Sequence, residues 1–111
     1  MNREAVLAIL SERYPPSALQ SSRDRLRDLS RRLAELDLKL EAAEGLHADI
    51  ETTLSVADGS RIAEFIEGER LRVYDDLCRL RNNRAKLASD ITDEQEYVRR
   101  HERAMEMMRG C

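Results

Sequence analysis

The sequence predicts an all-α fold: an antiparallel helical hairpin, built as a coiled coil, with a short N-terminal helix packed at its base. Three observations predict it. The first is an apolar heptad that runs without a skip, in alternating steps of three and four, through Leu19, Ser22, Leu26, Leu29, Leu33, Leu36, Leu40, Ala43, His47, Ile50, Leu54 and Ala57. The second is a matching series through Ala63, Ile66, Arg70, Val73, Leu77, Leu80, Arg84, Leu87, Ile91, Glu94, Val98, His101, Met105 and Met108. The third is the single strong turn between them, Asp58-Gly59-Ser60, whose shortness forces the two helices to lie antiparallel. Composition agrees, because 37% of the 111 residues are charged and only Tyr14, Phe65, Tyr74 and Tyr97 are aromatic. Such a chain suits long helices around a thin core.

Each element follows from local chemistry. Pro15-Pro16 cannot continue a helix, so Asn2 to about Arg13 forms a short helix with Val6, Leu7, Leu10 and Tyr14 on one side. The first arm spans about 17–57, opened by a capping box of Ser17 with Gln20. Gly59 is expected to take the left-handed conformation that closes this arm, with Asp58 or Ser60 capping the next. The second arm spans about 61–109. Thr92-Asp93-Glu94-Gln95 resembles another helix start, yet the heptad passes through it in phase, so one continuous helix is expected. The whole of 1–111 then forms a single coiled-coil hairpin domain.

The turn sets a register in which residue i faces approximately residue 117 − i. Charge agrees with it. Glu35, Asp37, Glu41, Glu44, Asp49 and Glu51 on the first arm, against a lone Lys39, face a stretch carrying Arg70, Arg72, Arg79, Arg81 and Arg84 against Asp75 and Asp76. Nearer the base the signs reverse, with Arg23, Arg25 and Arg27 opposite Asp90, Asp93, Glu94 and Glu96. Such blocks specify orientation more than they stabilise, since exposed pairs contribute only about 0–1 kcal/mol each. The leucine seam is the stabilising element, at roughly 1.5–3 kcal/mol per buried Leu or Ile.

A two-helix hairpin buries one stripe per helix, so apolar residues off the seam call for a second explanation. Leu38, Ala42 and Leu46 flank the seam on the first arm, and Leu71, Tyr74 and Cys78 on the second. The leading helix is too short to reach them from its attachment at the base, about 33 Å away along the axis. Leu38, Leu46, Leu71, Tyr74 and Cys78 are therefore the candidate partner-binding residues, for a second copy of the chain or another helical protein. The tip residues Asp58, Gly59 and Ser60 form a second candidate site.

The polar seam positions read as structural. His47 and Arg70 meet as a polar layer near the tip, and Arg84 and Glu94 are further polar seam positions; such residues set register, or an Arg leaves the seam with its charged end in water. Gly45 and Gly68 interrupt good helical sequence, to let the helices approach closely, as a hinge, or as residues the helix simply tolerates. Met105, Met107 and Met108 are expected to pack on the N-terminal helix, whose apolar side needs cover at the same end.

Several function classes are disfavoured. His47 and His101 stand far apart with no Cys or carboxylate at ligand spacing, so no metal is expected. There is no glycine-rich phosphate loop, nucleophile elbow or cysteine pair, so no catalytic residue and no cofactor is expected, and the chain does not read as an enzyme. Arg23, Arg25, Arg27, Arg31 and Arg32 are interleaved with Asp24 and Asp28 and lack aromatic neighbours, which argues against nucleic acid. The net charge of −3 argues the same way. No apolar run approaches the roughly 20 residues that cross a bilayer, and Met1 to Leu10 is too short and charged for a secretory signal, so a cytoplasmic protein away from membranes is expected. Cys78 and Cys111, distant in sequence, fit a reducing compartment.

Two functional classes remain. One is a coiled-coil adaptor or structural subunit that self-associates or joins a helical assembly. The other is a small chaperone or regulator whose hairpin binds a client, or inserts its tip into a larger machine such as a secretion apparatus. Small hairpins occur among bacterial export stalks and transcription-channel factors, which is a likeness of shape alone.

Overall fold

A computed structural model describes residues 2–56 and 59–110. They form three helices: α1 (Arg3–Arg13), α2 (Pro16–Val56) and α3 (Ser60–Arg109). The fold is all-α, with α2 and α3 paired antiparallel. Packing divides it into two compact units, a base of residues 2–31 with 88–110 and a distal unit of residues 32–87.

Helix α1 begins at Asn2, whose side-chain oxygen accepts the Glu4 backbone N–H at 3.0 Å, and ends at Tyr14, whose N–H donates to the Leu10 carbonyl at 2.8 Å. Helix α2 starts one residue before the expected capping box. Pro16 occupies its first turn, where a missing N–H costs nothing and the fixed φ suits the helix. The Pro15 carbonyl accepts the Ala18 N–H at 3.0 Å, and Gln20 donates instead to Asp24 at 3.0 Å.

The tip also differs from expectation. Gly59 does not adopt the left-handed conformation, and no described residue has positive φ. It acts as the cap of α3, its carbonyl accepting the Ala63 N–H at 2.8 Å. A glycine serves there almost as well as Ser or Asn. Ala57, Asp58 and Cys111 lie outside the described residues. Helix α3 continues unbroken through Thr92, whose hydroxyl donates back to the Ala88 carbonyl at 3.1 Å, a mid-helix bond rather than a cap.

The seam faces inward along both arms. Every described seam residue of α2, from Leu19 to Leu54, is buried or half-buried, and on α3 only Arg84 is exposed. In the distal unit Val73 and Leu77 are the most enclosed, flanked by half-buried Leu36, Leu40 and Leu80. In the base the core is Leu19, Leu29, Ile91, Val98 and Ala104, with Ser22 and His101 buried among them.

Gly45 and Gly68 have nothing within 4 Å of the position a Cβ would take, which overturns the close-approach reading. Both are exposed and lie in regular helix. Gly45→Ala and Gly68→Ala are each expected to raise stability by about 0.8–1 kcal/mol, read as a higher urea midpoint at unchanged slope. A loss would show that one of them is a hinge.

Candidate functional site

In the distal unit, ion pairs cross between the helices: Arg70 with Glu51 at 3.2 Å, Arg81 with Glu44 at 3.6 Å, and Arg84 with Asp37 at 2.5 Å. All three join the predicted basic and acidic stretches. Arg84 leaves the seam to reach Asp37. Arg72 and Arg79 pair within α3, with Glu69 and Asp76. Glu51 also lies 3.6 Å from His47, so the expected His47–Arg70 layer exists with a carboxylate joining its two members. Tyr74 covers His47, ring to ring at 6.1 Å. Arg70 donates to Glu67 as well, and this bond holds the Glu67 carboxyl below its ordinary pKa while raising that of the guanidinium.

The candidate partner-binding residues Leu38, Leu46, Leu71 and Tyr74 are exposed, by 50–68%, whereas Cys78 is half-buried. They do not form one patch. Tyr74 and Arg81 are two turns apart on one face of α3, and Arg81 reaches Glu44. At about 100° per residue, Leu46 lies about 160° round α2 from Glu44. Leu38 and Leu46 therefore occupy one flank of the distal unit with Ala42, and Leu71, Tyr74 and Cys78 the other. Of the tip candidates, Asp58 is not described, Gly59 caps α3, and Ser60 begins that helix.

Three exposed residues at the tip end escaped the sequence reading: Val56, Ile62 and Phe65, exposed by 62–76%. Their signal was present, as large apolar residues off the heptad beside the turn. The described residues of the distal unit are segments of α2 and α3 alone.

The base is organised differently. Helix α1 lies along one flank, where Ser11 donates to the Met108 sulfur at 3.3 Å and Val6, Leu7 and Leu10 form a groove with Met107. Met107 and Met108 thus meet α1 as expected. Met105 lines a groove with Leu19, rimmed by Arg23, Arg99, Arg103 and Arg109 and by Glu102 and Glu106. The signs at the base are only partly those expected: Arg25 pairs with Glu94 at 3.6 Å, but Arg23 reaches Glu102 at 3.0 Å, and Arg27 bonds Asp24 on its own helix.

His101 is the most enclosed side chain, with no exposed surface and no protein partner for either ring nitrogen among the described residues. Tyr14 and Tyr97 meet it edge-on, with centroids at 5.5 and 6.0 Å, and lie 6.1 Å from each other. Burial lowers its pKa, Arg23 lowers it further, and Glu102 opposes them. The sequence placed His101 in the seam but gave no sign of this aromatic box.

Among the described residues no cluster of three or more His, Cys, Asp or Glu could hold a metal ion, and no helix is long and apolar enough to cross a membrane. Compared with known proteins, the chain matches no family model, no curated protein and no solved structure.

Proposed function

We propose that this protein is a non-enzymatic coiled-coil adaptor or structural subunit that acts through helix–helix contacts and associates with copies of itself. The observation that carries the reading is the distal unit's uncovered apolar surface, with Leu38 and Leu46 on one flank and Leu71 and Tyr74 on the other. Single exposed leucines are ordinary, but this many on a two-helix unit favours covering by another helix. The fold is compatible with such a role, and nucleic acid is not part of the proposal.

The test is light-scattering mass over a concentration series, with the protein reduced. Dimers or larger species are expected, and Leu46→Glu with Leu71→Glu is expected to return them to monomer with helicity unchanged. A wild-type monomer at every concentration would remove self-association from the reading.

Val56, Ile62 and Phe65 favour a second reading, a chaperone or regulator that engages its client through the tip end. Under it, Ile62→Glu with Phe65→Glu leaves the mass unchanged and abolishes client binding.

A further inference from the structure

We infer that copies of this chain associate head to tail, the acidic outer stripe of α2 in one copy docking in the arginine-rimmed groove of the base of the next. The inference rests on the self-association proposed above and names its two surfaces.

The groove is built for an amphipathic, acidic helix. Its floor is the edge of the seam, half-buried Met105 beside buried Leu19. Its rim holds four arginines against two glutamates, and Arg23 is already paired with Glu102. Arg99, Arg103 and Arg109 enter no ion pair among the described residues. Like charges at Arg99 and Arg103, one turn apart on α3, disfavour each other until an anion arrives between them. Arginine suits that task, since its planar fork binds carboxylates with two parallel bonds.

The complementary surface stands on α2 in the distal unit. Leu38, Ala42 and Leu46 form an exposed apolar line at helical spacing. Glu35, Glu41 and Asp49 lie on the same outer half of the helix, and all three are exposed and unpaired among the described residues. Lys39 is the one opposing charge among them. Three unpaired carboxylates beside an apolar line thus match three unpaired guanidiniums beside an apolar floor. Docking gives both sets their counter-ions and covers Leu38 and Leu46. An interface that joins two different surfaces is heterologous, and each copy retains one of each.

The mode is tested with two variants whose changed residues are all exposed. One breaks the groove, Arg99→Glu with Arg103→Glu, and the other breaks the stripe, Leu38→Glu with Leu46→Glu. Circular dichroism checks that both fold, and sedimentation measures association. Each variant alone is expected to associate at least about tenfold more weakly than wild type, and added salt to weaken wild type as well. An equimolar mixture is expected to recover a complex, because the first variant keeps its stripe and the second its groove. Wild-type association that survives the arginine changes, or loss without recovery on mixing, overturns the head-to-tail mode and leaves self-association standing. Binding of an unrelated acidic helix to the intact groove of the stripe variant, where the stripe of the groove variant does not bind, assigns the groove to a different partner and overturns the mode too. A monomeric wild type overturns both proposals.

Discussion

Leu77→Ala is expected to lower the stability of the chain by about 2–5 kcal/mol, while Leu38→Ala changes it by no more than about 0.5 kcal/mol. The two leucines belong to the same unit and differ in one respect. Leu77 lies in the seam and is 3% exposed; Leu38 lies off it and is 68% exposed. Truncating Leu77 removes buried methyl groups and leaves a cavity, because two long helices cannot collapse locally around one missing side chain. Truncating Leu38 removes a side chain that is already mostly in water. Urea unfolding followed by circular dichroism measures both. Equal losses would mean that the distal unit is not held together along the heptad.

Tyr14→Ala is expected to cost about 1–3 kcal/mol and to flatten the dependence of stability on pH. The ring is half-buried, so the loss falls below that of a fully enclosed aromatic. Its larger consequence is for His101, whose edge it covers at 5.5 Å. Burial keeps the folded-state pKa of His101 below the ordinary 6.5, so as pH falls the unfolded chain takes up the proton first. Stability is therefore full above about pH 6.5 and declines as pH drops from there toward the folded-state pKa. Arg23 deepens the effect from α2, and Glu102 on α3 partly offsets it.

In Tyr14→Ala the imidazole gains water, its pKa returns toward 6.5, and the slope shrinks. His101→Leu should remove the same contribution, since no ionisable group remains there. Urea midpoints between pH 8 and pH 5, with Tyr14→Phe as the control that keeps the ring, measure the effect. An identical slope in wild type and His101→Leu would assign the pH dependence to other groups.

Much of the fold was legible because a heptad names the inward face of a helix without reference to its partner. Leu19 to Leu54 face inward for that reason, and α3 continues through Thr92 because an uninterrupted apolar phase outweighs a local cap. Cap positions were less legible. Pro16 displaces Ser17 because a proline can begin a helix it could not continue, and Gly59 caps α3 although its composition fits a left-handed turn equally well. In the candidate site, the exposure of Leu38, Leu46, Leu71 and Tyr74 was legible from their place off the seam. Their separation onto two flanks was not, since it depends on which side of the partner each helix presents.

The sequence by itself determined the helices, the inward stripes, the antiparallel order and the sign of the facing charges in the distal unit, since each follows from spacing along one chain. The tertiary structure alone decided what surrounds each side chain across helices: Glu51 joining His47 to Arg70, the tyrosines enclosing His101, and Arg99, Arg103 and Arg109 around Met105 and Leu19 without an ion pair among the described residues. These arrangements join residues from two or three helices, and helical periodicity repeats within one helix without specifying how far its neighbour is turned or shifted against it.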